Sequence, residues 1–388
     1  MITSASHDPS DAALPGVGQV GSNTPSPWFE ALPNESGPEL ARARSRLASL
    51  GIERGPIERI QTFAARNSVA MLHFSDGTAL VLKQADPATA KAVGTATGNE
   101  ETMLGLMPEA GIPDFARAAI PRLVGVDPGT GTVIMEGKTG FTSMREIAKE
   151  SLDIPVPVLA ALASVTAGIH ATPVGHIIEN EKYASQRIAF PFASFVTLTP
   201  SELASGPGMD YSDYAAAMQS VDESVARLRD AWGPKGLMHF DLREDNILFK
   251  NPGGERPEVA LIDWELAGFG DQMLDVGTIV GQLLIQWLHT LRGSVGSLAS
   301  SDAWATARRN VGLFLAAYGH SAPFDPDQRE TAFRYAGLSL LMYAAGRLEQ
   351  IGSLGRIGHL CLFVGCKLLN NPQGLAKLLV PGARKAGG

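Results

Sequence analysis

The hydrophobic period of the chain changes once, near Gly137, and this change constrains the fold more than any other feature. Before it, apolar residues come in short alternating runs, IERIQTF, VAMLHF and TALVLK, then RLVGVD and GTVIME. Alternation of this kind buries one face of a pleated strand. Residues 75–77, Ser-Asp-Gly, make a tight turn between the second and third runs, so the first three strands are expected to form an antiparallel meander. A helical stretch from Asn99, with Met103, Leu104 and Met107 on one face, is inserted before the last strand pair. Beyond Gly137 the period is helical, in LAALASVTAGIH and over residues 273–291 and 331–369. Two short strands interrupt it, NILFK and EVALID, joined through the turn sequence NPGGERP. The expected class is α+β, with a small antiparallel sheet carrying one helix and a larger, mainly helical part with an embedded β-hairpin.

Residues 1–35 are rich in Ser, Pro, Gly, Asp and Asn without periodicity, and are expected to be a disordered tail because they cannot bury enough apolar surface to offset ordering entropy. A helix over 36–50 follows, with Ser36 as N-cap and Glu39 three residues on. The β-rich lobe is expected over 36–137 and the helical lobe over 138–388. Of 388 residues, 45% are hydrophobic and 19% charged, which excludes collagen-like, fully disordered and disulfide-framework classes. Cys361 and Cys366 sit among Leu362, Phe363 and Val364 and read as apolar core residues in a reducing compartment. The start MITSASHDPSD has no basic, apolar leader pattern, and no long apolar run appears, so a cytoplasmic protein without membrane association is expected. A net charge of −8 argues against a nucleic-acid partner. The charge is uneven. Residues 281–388 carry roughly eleven Lys or Arg against five Asp or Glu, so the helical end is basic and the remainder acidic.

The densest chemical signal is HFDLREDN, residues 239–246, followed by LIDWE with Asp263. A loop that presents a carboxylate at Asp241 and an amide oxygen at Asn246, with a second carboxylate beyond the hairpin, suits phosphoryl transfer. That reaction needs a positioned hydroxyl, a base for its proton and cations to neutralise the moving phosphoryl group. Asp241 fits the base. Asn246 and Asp263 offer the hard oxygen ligands that Mg²⁺ prefers.

These motifs resemble the protein-kinase-like superfamily, and within it the aminoglycoside phosphotransferase and choline kinase-like branch. HFDLREDN is similar to that branch's HxDxxxxN catalytic loop, IDWE to its metal-binding segment and GDQMLDVG to the segment that follows, over about residues 55–290. The resemblance implies a two-lobed kinase-like fold whose small lobe binds nucleotide, ATP or GTP, with Mg²⁺. It implies a lysine on the third strand for the phosphates and a glutamate on the next helix to hold it. Lys83 and Glu100 stand at those places; Glu101 competes, but Glu100 shares the stripe of Met103, Leu104 and Met107.

By the same resemblance, Ser68 after the first strand turn is the available phosphate contact in a loop without glycine, and residues 132–137 are the last strand and hinge. Met135 is then near adenine, and the backbone of Glu136 and Gly137 pairs with the base edge. His239, Asp271 and Asp275 are expected to brace the loop, and His170 to pack and cap. Arg243 either clamps the γ-phosphate or pairs with a nearby acid. GTVIMEGKT looks like a P-loop but has the wrong glycine spacing and an apolar strand in its middle.

The acceptor is expected to be a hydroxyl of a small molecule or peptide. A basic helical lobe, with Arg292, Arg308, Arg309, Arg334, Arg347 and Arg356, would repel a polycationic aminoglycoside. Aromatic residues between 175 and 232, namely Tyr183, Phe190, Phe192, Phe195, Tyr211 and Tyr214, are candidates for an acceptor lip. Two other readings stay open: phosphorylation of Ser or Thr in a natural-product precursor peptide, and a pseudokinase that binds without transfer. Phe240 replaces the branch's usual glycine, and Glu244 with Asp245 replaces Pro-Gly.

Overall fold

A computed structural model describes residues 37–63, 68–84, 96–190, 212–291 and 302–379 of the chain. The expected tail, the loop over 64–67, and Phe192, Phe195, Tyr211 and Arg292 lie outside them. Two compact units are present: Met1–Glu101 with Arg122–Thr139, and Thr102–Pro121 with Gly140–Gly388.

In the first unit, α1 (Gly37–Ser49) precedes β1 (Ile57–Phe63), β2 (Ser68–Phe74) and β3 (Ala79–Gln84), then α2 (Ala96–Leu106), which runs into the second unit. The sheet is completed by β4 (Leu123–Asp127) and β5 (Thr132–Glu136) in the antiparallel order β1-β2-β3-β5-β4. Asp76 makes the β2–β3 turn by accepting from the Thr78 N–H at 2.9 Å, and Gly77 supplies the positive φ of 80° that the turn requires. One face of the sheet is filled by α1: Leu47 packs with Leu72, Phe74, Leu80, Leu82 and Ile134, all nearly inaccessible. Arg46 grips Asp127 with two hydrogen bonds, fixing this helix to the β4–β5 hairpin.

Alternation along the strands then decides what the other face carries. In β3, Leu80 and Leu82 point to α1, so Val81 and Lys83 point away. The register pairs Val69 and Val133 with Lys83, and Met71 and Met135 with Val81. An apolar floor with one ammonium at its end results. Gly137 closes on this face, where an added Cβ would lie 2.8 Å from Met71 Cε and 2.9 Å from Ala79 Cβ.

In the second unit, a short helix α3 (Asp114–Arg117) leads to β6 (Thr142–Ser143) and α4 (Met144–Glu150), which begins with a Ser143–Glu146 capping box. The long apolar helix α5 (Val156–His170) and the single turn α6 (Gly175–Ile178) follow, then α7 (Ser212–Asp230). Three strand pieces, β7 (Gly236–Met238), β8 (Ile247–Lys250) and β9 (Glu258–Leu261), precede β10 (Gly268–Gly270). The β8–β9 hairpin extends to β6, while β7 pairs with β10. The remaining helices are α8 (Met273–Thr290), α9 (Asp302–Ser321), α10 (Pro326–Ile351), α11 (Gly355–Asn370) and α12 (Pro372–Leu379).

Three elements depart from the expected pattern. The stretch 331–369 is two helices, because Gly352 at φ 71° ends α10 in a left-handed cap. The region 175–232 contains the 19-residue α7, whose weak stripe is spread among Ser, Asp and Ala. Helix α9 interleaves Arg308, Arg309 and Asn310 with its apolar positions, which hides its period.

Glycines let α8 and α10 approach closely. A Cβ at Gly277 would lie 2.6 Å from the Ala332 carbonyl oxygen and 2.8 Å from the Ala336 nitrogen, both backbone atoms that cannot rotate away. Gly277→Ala is therefore expected to destabilise the protein by about 1–3 kcal/mol despite alanine's better helix propensity, read as a lower urea midpoint at unchanged slope. An unchanged or higher midpoint would contradict this packing.

Candidate functional site

The chemistry-bearing residues fall into two groups, one in each unit. In the first, Lys83 is buried at the end of β3 and its Nζ is 2.9 Å from Glu100 Oε2. Glu100 is 1% accessible, whereas Glu101 is exposed, so the helical stripe that selects Glu100 is also the one turned inward. Two buried charges in contact compensate each other's desolvation, and removing either partner leaves the other stranded. Met135 is buried on the same sheet face as Val81.

The hinge backbone is more committed than expected. Glu136 N–H donates to Arg122 O at 2.9 Å and Gly137 N–H to Ala79 O at 2.9 Å. Neither is available as a donor to a base edge, because both serve the sheet and its margin. Ser68 is also placed differently from a phosphate contact. It pairs with Gln84, and alternation sets its side chain on the α1 face with Ala70 and Leu72, opposite Lys83.

In the second unit, the loop 239–246 runs from β7 to β8 and is held from below by Asp275 in the first turn of α8. That carboxylate accepts from His239 N–H at 2.7 Å and from Phe240 N–H at 2.8 Å. Phe240 has φ 75°, a left-handed conformation that costs a bulky residue about 1–2 kcal/mol, and the two charge-assisted bonds fix it there. Asp275 is buried and also lies 3.2 Å from His170 Nε2, whose other ring nitrogen is 2.8 Å from the Tyr318 hydroxyl. Asp271 accepts from Met273 N–H and from Lys235 Nζ at 2.7 Å, anchoring the helix start.

His239 supports the loop by its tautomer. Its Nε2 donates to Ile262 O at 2.9 Å and its Nδ1 accepts from Asp241 N–H at 3.3 Å, with the ring tilted at 58° against Trp264. A neutral ring is required for both bonds, and burial pushes its pKa below the ordinary imidazole value.

Asp241 is thereby presented with its carboxylate toward Asn246 and Arg243. Asn246 Nδ2 donates to both Asp241 O and Asp241 Oδ2, each at 2.9 Å. With its nitrogen so engaged, the amide turns its oxygen away from Asp241. Burial raises the Asp241 pKa, opposed by Arg243 and His239, which leaves a carboxylate of enhanced basicity. Arg243 Nε is 3.2 Å from Asp241 Oδ2, and its Nη2 is 3.9 Å from Asp263 Oδ2. Asp263 sits at φ 69°, ψ 64°, directly after β9, where Ile262 N–H is tied to Asn246 O at 3.0 Å. Strained backbone at two loop positions around one set of carboxylates is the pattern of a functional site.

Asn246 and Asp263 fit a hard divalent cation by donor type, since one amide oxygen and one carboxylate leave positions for phosphate oxygens and water. Among the described residues no cluster of three or more His, Cys, Asp or Glu could hold a metal by itself.

Sequence reasoning missed Arg145 and Gln286. Arg145, at the start of α4, makes two hydrogen bonds to Asp245, at 2.5 and 2.6 Å, and lies 3.3 Å from Glu244 Oε1. Gln286 of α8 donates to Glu244 Oε2 at 3.3 Å. The Glu244-Asp245 pair that replaces Pro-Gly thus has its own fastenings, and its two acids were the only signal for them.

Residues 59–309 match the family model described as phosphotransferase enzyme family, and the chain belongs to that family. The members of that family are phosphotransferases. A choline/ethanolamine kinase family protein from Mesorhizobium loti shares the fold at 19% identity and a TM-score of 0.52, covering 87% of this chain and 97% of its own. The aminoglycoside phosphotransferase APH(2'')-Ib, solved with ADP, does so at 12% identity and a TM-score of 0.51, covering 84% and 98%. The fold is therefore protein-kinase-like, as the motif order implied. No curated protein sequence matches the chain significantly. Among the described residues no helix is long and apolar enough to cross a membrane.

Asp275→Asn tests the support beneath the loop. It removes one acceptor from two buried N–H groups, so stability is expected to fall by about 1–3 kcal/mol. Phosphoryl transfer is expected to fall at least about tenfold as the loop loses its fixed geometry. Wild-type turnover in this variant, measured where it remains folded, would contradict the role given to Asp275.

Proposed function

We propose that the protein transfers the γ-phosphoryl group of ATP to a hydroxyl of a small molecule, with Asp241 as the base. The observation that carries this reading is the Asn246 amide, whose nitrogen is bonded twice to Asp241 so that its oxygen is left to serve as a cation ligand. Lys83, oriented by Glu100, binds the nucleotide phosphates, with Val69, Val81, Val133 and Met135 as the apolar floor under the base. Asn246 and Asp263 hold Mg²⁺. When bound, the cation neutralises charge on the phosphoryl group and its leaving oxygen. GTP satisfies the same contacts, so the nucleotide is identified by its phosphates.

Asp241 does the proton work. Its carboxylate orients the acceptor hydroxyl and takes the proton as the new O–P bond forms and the bond from Pγ to the ADP oxygen breaks, the electron pair leaving with ADP. Its buried position favours that uptake. Arg243, now paired with Asp241 and Asp263, contributes positive charge at the transferring group.

Asp241→Asn keeps the shape and removes the basicity. Transfer is expected to fall by about 10²–10⁴-fold while MgATP binding, followed by calorimetry, persists. Lys83→Met is expected to weaken nucleotide binding and also to destabilise the fold by about 3–5 kcal/mol, because it strands Glu100. Turnover is best found by incubating the protein with MgATP and hydroxyl compounds and looking for the mass of one added phosphoryl group. Nucleotide binding without transfer or slow hydrolysis across a broad panel would favour a pseudokinase.

A further inference from the structure

The basic excess of the helical unit is not spread evenly once its pairs are identified. Arg309 is paired with Asp153 and Arg334 with Glu330 at 2.5 Å, so both are spent on ties between or along helices. Arg145 is spent on Asp245 and Glu244. Arg347 and Arg356 have no carboxylate partner among the described residues. Arg347 Nε donates to Leu354 O at 3.3 Å, a neutral contact.

These arginines gather at one place. Tyr343 and Arg347 stand one turn apart on α10, His289 stands on α8, and Arg356 stands at the start of α11. The Tyr343 hydroxyl lies 2.8 Å from His289 Nε2, with the two rings edge to face at 5.9 Å. Burial and the charges of Arg347, Arg145 and Arg356 together push His289 below the ordinary imidazole range, so the ring is neutral amid a local positive field.

The cluster borders the catalytic loop directly. Gln286, one turn before His289 on α8, holds Glu244, and Arg145 holds both Glu244 and Asp245. Glu244 is three residues from Asp241, a span of at most about 11 Å along an extended chain, so the side chains that hold Glu244 sit beside the segment that carries the base.

We propose that Arg347 and Arg356, with Tyr343 and His289 as hydrogen-bonding neighbours, form an acceptor-recognition site for an anionic oxyacid group. The acceptor is a hydroxyl compound bearing a carboxylate or phosphate. The inference rests on the phosphotransferase reading above and names its substrate class. A half-buried guanidinium without a carboxylate is stabilised by an anion, while a polycation meets a cluster in which Arg145, Arg347 and Arg356 outnumber Glu244 and Asp245.

The test compares matched probes that differ in charge: glycerate and glycerol 3-phosphate, glycerol, and 2-amino-1,3-propanediol, with gluconate, glucose 6-phosphate, glucose and glucosamine as six-carbon counterparts. Binding is measured by calorimetry on the full chain with Mg²⁺ and a non-hydrolysable ATP analogue, and transfer by mass. Anionic members are expected to bind at least about tenfold more tightly than neutral ones, with cationic members weakest. The carboxylate and phosphate arms decide which oxyacid is preferred.

Arg347→Met and Arg356→Gln are each expected to abolish that preference. Arg356 is exposed, so its variant is expected to fold normally, as checked by its melting temperature. A preference for neutral or cationic probes, no binding of any anionic probe, or an anion preference that survives in both variants would overturn the proposal. Affinity for the ATP analogue in the same titrations separates the two failures: its loss sinks the phosphotransferase reading, and its persistence confines the failure to the acceptor site.

Discussion

One buried carboxylate, that of Asp275, governs the geometry of the 239–246 loop. It receives the N–H groups of His239 and Phe240, and its helix is in turn fixed by Asp271 and by glycine contacts with α10. From that point the chain of restraints is short. His239 grips Ile262 and the Asp241 backbone, Asn246 grips Asp241, and Ile262 N–H returns to Asn246 O. Each bond is worth little alone in water, but in a buried network the penalty for an unmade one is large, so the loop has one conformation. Preorganised donors and acceptors are what phosphoryl transfer asks of a protein.

Much of this was legible in the sequence. Strong alternation in short runs located the five strands of the first unit, and the motif order identified the family. The stripe containing Met103 and Met107 distinguished Glu100 from Glu101, and the structure brings Glu100 to Lys83. What failed depended on information outside the local pattern. Ser68 looked available because its loop had no glycine, but strand register fixes its face, and register is a property of the pairing with β3. The resemblance placed the backbone of Glu136 and Gly137 at a hinge beside a base edge, and the engagement of their N–H groups is likewise set by pairing outside the local pattern. Their partners, Arg122 O and Ala79 O, belong to neighbouring strands or their margins.

Helices α7 and α9 were obscured for a different reason. Their buried positions include Ser224 and Asn310, small or polar residues that carry little hydrophobic signal yet pack or bond inside the unit. Ser224 donates to Asn370, and Asn310 Nδ2 donates to Leu152 O. Polar groups used this way are stable because they are satisfied, and pattern reading counts them as surface. The same limitation applies to charge. A sum over residues 281–388 shows that the helical end is basic, but only pairing distinguishes arginines consumed by Asp153 or Glu330 from those left for a ligand.

Phe240 gives the loop an unusual division of labour. A glycine at φ 75° would adopt its conformation without help, whereas a phenylalanine adopts it only while a carboxylate from another helix holds its amide. Conformational control of the reactive loop has thereby been moved out of the loop and into α8. The 239–246 loop and the helical scaffold are in consequence one mechanical object, and a disturbance at the start of α8 is felt at Asp241.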